Sequence, residues 1–233
     1  MALPEINSAQ FVGEIKIVLN PAGNDFQPYI DQNYESYVCD VIGAEATNEI
    51  KTTTILPQKW NDLFNGVYYY NVSLKKWLRT RGLTYAVLRI IYFEYVGDDH
   101  VSTMVGNVRG DEEVSTRLNP YEEGLNTAKK YNHAQMSVNS ELSLWFDNYR
   151  SFEGNIDSFV DNGGGSYTIN SASTIYLANN DKVNIGNIEY TVSNVVDDVS
   201  FDISGNTGLS FSGKYVYNPF EKVCFNHQEF IVA

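Results

Sequence analysis

The sequence predicts an α+β protein, with a helical N-terminal domain over residues 1–156 followed by a small all-β barrel or sandwich over 157–233. Two observations carry this reading. Leu74–Val96 is a run of more than twenty residues, apolar on nearly every side from Leu83 onward, with Arg89 and Glu94 its only charges after that point. A helix without a polar face belongs in the middle of a helical packing. The run also tolerates a strand reading, because periodicity alone does not settle apolar segments. Its length, against about 5–6 residues for a usual strand, favours a central helix. Within such a helix Gly82 is a weak point, costing about 1 kcal/mol relative to alanine. The second observation is a change of composition near Ile156, beyond which stand three lysines, no arginine and nine acidic residues in short alternating runs.

Taken in order, FVGEIKIVL near the N-terminus reads as a strand or a packing arm, and residues 20–25 are turn chemistry. From Gln27 to Ile50, Ile30, Tyr34, Tyr37, Val38, Val41 and Ile42 recur at helical intervals with Asp31, Glu35 and Asp40 on other faces, an amphipathic helix. Pro28 suits its first turn. Lys51–Leu56 reads as a linker, and Pro57–Phe64 as a short helix stopped by Asn65-Gly66. After the central helix, Gly97–Asn119 is polar and glycine-punctuated. A loop of that length within a compact domain usually has a function. Pro120–Asn148 reads as a long last helix, with Asn119 as N-cap and Glu122 and Glu123 at the positive end of its dipole. Strands are expected at 166–169, 174–177, 182–185, 188–195, 199–203, 209–211, 215–217 and 229–232, separated by Gly163-Gly164-Gly165, Gly186-Asn187 and Gly205-Asn206.

The net charge of −13 argues against a protein that grips nucleic acid through its phosphates, though not against one past which nucleic acid slides. Cys39 and Cys224 have no metal-ligand spacing and read as free thiols in a reducing compartment. No secretory signal and no run of transmembrane length is read in the chain. The seventeen tyrosines divide between two explanations, β-propensity with core filling and surfaces that meet partners.

Asp98-Asp99-His100 is the most tempting polar cluster for a general base or a metal, but a solvated turn is the commoner meaning of such a run. Asp111-Glu112-Glu113 lacks the ligand spacing of an EF-hand. His133 is a single imidazole on a helix. Cys224 and His227 are two zinc ligands without another pair. Gly163–Gly165 opens a strand and precedes neither helix nor lysine, so it is no phosphate loop. Together these absences argue against an enzyme: no catalytic, metal or cofactor site is expected.

The order of elements over Asp25–Tyr149 resembles the head-to-tail connector, or adaptor, proteins of tailed bacteriophages. The resemblance rests on the helix carrying PYIDQNYESYVCDVIGAE, on Trp60, Leu63 and Gly66 in a W-x-x-L-x-x-G segment, on the aromatic helix TYAVLRIIYFEYV, on the loop VSTMVGNVRGDEEVSTRL, and on a last helix opening at Asn119-Pro120-Tyr121. It covers about half of the chain. The C-terminal β-region departs from the compact helical adaptors, and the resemblance then suggests a larger version such as those of crAss-like gut phages. The resemblance implies a helical bundle of the adaptor type, without cofactor, assembled in the host bacterial cytoplasm. In the virion it implies a homo-oligomeric ring, twelve-fold like the portal, at the head–tail junction. Portal protein and further neck or tail proteins are then its partners, DNA passes through the lumen unbound, and no membrane is involved.

An acidic lumen and extensive subunit contacts agree with this implication. The loop from Gly97 is expected to pack on a neighbouring subunit or the portal through Val101, Met104, Val105 and Val108, the alternative being a hairpin folded back on its own domain. Two other readings stay open. One is a binding module for carbohydrate or a tail-fibre partner built on the Tyr-rich β-region, and the other a hydrolase using Asp98, Asp99 and His100.

Overall fold

The computed structural model describes residues 3–15, 26–53, 56–97, 108–109, 116–117, 120–174 and 176–224. The chain mixes helix and strand. It opens with two 3-10 turns, Ser8–Gln10 and Gly13–Ile15, that tuck Ile6, Phe11 and Ile15 into a core built by helices. These are α1 (Phe26–Ile42), α2 (Ala44–Thr52), α3 (Gln58–Asn65), α4 (Gly82–Gly97), α5 (Pro120–Met136) and α6 (Ser143–Tyr149). The expected helix over 27–50 is two helices, because Gly43 takes φ +87 between them. The expected last helix is continuous in direction but loosens into a π-helical turn at Ser137–Leu142, where α5 gives way to α6. Among the described residues no helix is long and apolar enough to cross a membrane.

The central helix stands where its apolar run predicts, but it starts later. α4 packs against α1, α3 and α5, so Leu83, Val87, Ile90 and Ile91 all find apolar neighbours although they lie on different faces. Leu74–Thr80 is not helical. It is part of a hairpin of β1 (Tyr68–Asn71) and β2 (Lys76–Arg79). Gly82 is no weak point inside a helix. It sits at the helix start with φ +82, a conformation that tolerates glycine and few other residues.

Between α4 and α5 the backbone pairs β3 (Val108–Arg109) with β4 (Thr116–Arg117), the antiparallel pairing of a hairpin. Val101, Met104 and Val105 lie outside the described residues, as do Asp98, Asp99, His100, Asp111, Glu112, Glu113 and His227.

The sheet has seven strands: β5 (Phe152–Ile156), β6 (Ser158–Gly163), β7 (Ser166–Asn170), β8 (Lys182–Ile185), β9 (Ile188–Val196), β10 (Ser200–Ser204) and β11 (Gly213–Tyr217), in the order β5-β11-β8-β9-β10-β7-β6. All neighbours are antiparallel. β5 and β6 occupy opposite edges, yet only Asp157 separates them in the chain. The sheet must therefore curl until its edges approach. Inside the curl Tyr167, Ile169, Val183, Phe201 and Tyr215 are buried.

Two segments expected as strands are irregular where they are described, at 174, 176–177 and 209–211, and 229–232 lies outside the described residues. Their alternation reflects burial without pairing. Thr174, Tyr176 and Leu177 are buried, and Phe211 packs edge-on against Tyr167 at 5.0 Å. β5 was not expected, because FEGNI has too few apolar residues to read as a strand. It lies ahead of the expected boundary at 156/157, belongs to the sheet, and pairs along all of β11. A fragment opening at Arg150 is therefore expected to melt at a higher temperature than one opening at Asp157. Equal melting temperatures would show that β5 adds nothing to the sheet.

The helices and the sheet share one seam. Trp145, Phe146 and Tyr149 of α6 meet Tyr176 and Phe220, with ring centroids 4.8–6.5 Å apart among the contacts of Trp145, Tyr149 and Phe146 with those two rings. The Cys224 amide donates to the Ile42 carbonyl, carrying the chain back onto α1. Tyr176 donates to Asp62 at 2.7 Å.

Candidate functional site: an exposed aromatic hairpin

The β1–β2 hairpin holds the densest exposed aromatic surface of the described chain. Strand geometry sends alternate side chains to opposite faces. Tyr69 turns inward toward Tyr149, whereas Tyr68 and Tyr70 turn outward and meet Arg79 and Trp77 across the ladder. Trp77 is 70% exposed, Tyr68 66% and Tyr70 45%. The Tyr70 and Trp77 rings stand edge to face at 5.8 Å, and the Arg79 guanidinium lies 5.2 Å from the Tyr68 ring centre. Val72 and Leu74, also exposed, form the turn. Single exposed apolar residues are ordinary, but five within one hairpin form a contiguous patch of the kind that marks an interaction site.

Three attachments hold this hairpin rigidly. Asn71, buried, accepts from the Leu74 amide at 2.8 Å and fixes the turn. Asn148 of α6 accepts from the Val72 amide at 3.1 Å and donates to the Tyr70 carbonyl at 3.3 Å. At the base, Glu141 accepts from both the backbone amide and the guanidinium of Arg81, at 2.9 and 2.8 Å. Glu141 projects from the π-helical turn, so the irregularity in the last helix places the carboxylate that anchors the hairpin. Bonding to Glu141, against a smaller opposing effect of burial, raises the Arg81 pKa. A pre-ordered aromatic surface has less entropy to lose on binding than a flexible one.

A second cluster lies at the seam. Lys59 of α3 is 1% exposed, 3.1 Å from both carboxylate oxygens of Asp181 and 3.4 Å from Glu49. Glu49 also meets Lys222 at 2.8 Å and accepts from the Trp60 indole. Burial raises the Asp181 pKa, partly offset by Lys59 and by the Ala178 amide. For Glu49, burial acts upward too, but Lys59 and Lys222 outweigh it and the net shift is downward. A cleft of about 630 Å³ opens beside it, walled by Glu45, Asn48, Thr52, Pro57 and Asn179 among others. Glu49 and Lys222 at its margin are engaged with each other, as structural clamps are. The cluster joins helix to sheet across 122 residues of sequence.

Of the residues singled out in the sequence, Val108 is placed only as part of β3. His133 is an exposed residue of α5. Cys39 is half-buried and Cys224 exposed, both free. Gly163 ends β6 and Gly164-Gly165 make the turn to β7, all three with positive φ. Among the described residues no group of three or more His, Cys, Asp or Glu side chains is placed to hold a metal ion. The hairpin itself was missed because LKKWLRT merges with the apolar run that follows. The signal was present in Tyr68–Asn71, three consecutive tyrosines of high β-propensity followed by Asn-x-Ser turn chemistry. No family model, curated protein or solved structure matches the chain.

Proposed function

We propose that this chain is a structural component of a phage virion neck, a homo-oligomeric ring between capsid portal and tail through which DNA passes. The observation that carries the assembly reading is the rigid, exposed aromatic hairpin on a chain of net charge −13. Tyr, Trp and Arg are the residues that dominate protein–protein hot spots. The neck itself is supported by the element order over Asp25–Tyr149 and its resemblance to adaptor proteins, with an adaptor-type helical bundle as the ring-forming part and the sheet as an added domain. The acidic surface suits a lumen that must not retain DNA. Val101, Met104, Val105 and Val108 are proposed as a further contact to a neighbour or the portal.

The carbohydrate reading draws no support from the sheet. Tyr167, Tyr176, Tyr190, Tyr215 and Tyr217, the tyrosines beyond residue 156, are all buried. The test is co-expression with a portal protein from the same genome, followed by electron microscopy of the purified material. The expected result is a ring stacked on the portal. Portal rings without added density, with the chain remaining separate, would sink the neck reading.

A further inference from the structure

The hairpin Tyr68–Arg79 carries Lys75, Lys76 and Arg79 and no carboxylate, a charge of +3. Since the whole chain carries −13, the rest carries −16. Among the described residues none of these three cations is in an ion pair. The aromatic patch is thus also a basic island on an acidic protein.

The opposite pattern occurs on the sheet. From Ser151 to Asp181, and again from Val183 to Gly213, there is no lysine or arginine. Ser158, Asn170, Ser200 and Val196 lie side by side at one end of β6, β7, β10 and β9. Asp157 precedes this row, and Asp197, Asp198 and Val199 form the β9–β10 turn beside it. Their backbone ties confirm the placement. Asp157 accepts from the Ala172 amide, Ser171 donates to the Val199 carbonyl, and the Asp198 amide donates to Thr174. All three aspartates are exposed, as are Val196 and Val199. This rim joins carboxylates to apolar surface, the complement of cations joined to aromatic rings.

We propose that the rim receives the β1–β2 hairpin of a second copy of this chain. Trp77 and Tyr70 cover Val196 and Val199, and Lys75, Lys76 and Arg79 face Asp157, Asp197 and Asp198. The two patches differ, so the contact is head-to-tail. Each copy offers one hairpin and one rim, and such contacts close into rings or run on as filaments. The inference rests on the assembly reading and names its contact. The other ligand for a basic aromatic hairpin, single-stranded nucleic acid, needs no rim.

The test uses the purified full chain and two variants that leave the left-handed residues Lys75 and Asp198 tolerable. One is Lys76→Glu with Arg79→Glu, and the other Asp197→Lys with Asp198→Asn, each checked for an unchanged melt. Sedimentation should show wild-type mass rising with concentration and falling with salt. Each variant alone should associate about tenfold more weakly, because charge matched to its partner is lost or reversed at the contact. An equal mixture of the two should regain pairwise association, because the unaltered hairpin of one variant then meets the unaltered rim of the other. Trp77→Ala should weaken association without altering the melt.

A wild type that stays monomeric, variants that associate normally, or a mixture that does not recover would each overturn the contact. So would Trp77 fluorescence that responds to a single-stranded oligonucleotide while the protein remains monomeric. A portal complex that survives in both variants overturns this contact and leaves the neck reading standing.

Discussion

Replacing Lys59 with methionine is expected to destabilise the whole chain by about 3–5 kcal/mol, the usual consequence of removing one partner from a buried ion pair. Methionine fills much of the aliphatic volume, so the loss is chiefly electrostatic. Asp181 is left facing the seam with the Ala178 amide as its remaining donor, and Glu49 keeps only Lys222 and the Trp60 indole. Urea denaturation should show a lower midpoint with an unchanged slope. Adding Asp181→Asn to Lys59→Met should recover part of the loss by removing the orphaned charge. A single variant within about 0.5 kcal/mol of wild type would refute the clamp.

The same variant should change the pH dependence in a defined sense. Glu49 has a lowered folded pKa, so its contribution is fully present above the ordinary value of 4.5 and is lost as pH falls through the folded value. Asp181 is shifted the other way by burial, and loss of Lys59 removes the main force opposing that rise. A carboxyl with a raised folded pKa favours the folded state at low pH and withdraws that support as pH rises through it. The gap between wild type and Lys59→Met should therefore be widest near neutrality and narrow on acidification into the carboxylate range. A gap that widens toward low pH would mean that Asp181 does not carry the effect.

How much of this was legible depended on the range of the forces involved. The apolar run from Leu83, the helical spacing of Ile30, Val38, Val41 and Ile42, and the Gly186-Asn187 turn between β8 and β9 act over a few residues, and each appears where it was read. Gly43 was visible too, but the periodicity on either side masked the break it makes. The clamp at Lys59 was not legible, because its partner is 122 positions away and a lysine beside a tryptophan looks like any solvated lysine. The hairpin failed for a different reason. Outward aromatic residues on a strand look the same in sequence as inward ones, and it takes Asn148, Tyr149 and Glu141, far along the chain, to fix which side of Tyr68–Asn71 faces the core.

Gly82→Ala is expected to be the most damaging single methyl group that can be added to the hairpin region. The chain enters the hairpin after Gly66 and leaves it before Gly82, and the Thr80 amide donates to the Val67 carbonyl between them. The two glycines lie against each other, both with positive φ, +78 and +82. A Cβ on Gly82 would strike the Phe64 carbonyl and the Gly66 amide, and one on Gly66 would strike the Thr80 carbonyl. These neighbours are backbone and have no flexible end to move aside. Backbone strain of about 1–3 kcal/mol therefore adds to overpacking of about 1–3 kcal/mol. Relief requires the strands to part at the base, which pulls Arg81 from Glu141 and turns the Trp77 face away, so self-association should fall further than stability does. Gly163→Ala is the control. Its φ is also +82, but no atom lies within 4 Å of the added carbon, so it should cost only the left-handed penalty of about 1–2 kcal/mol. Measured side by side by urea denaturation, the excess loss in Gly82→Ala isolates the crossing. Equal losses at the two positions would show that the base of the hairpin is not packed as tightly as its geometry requires.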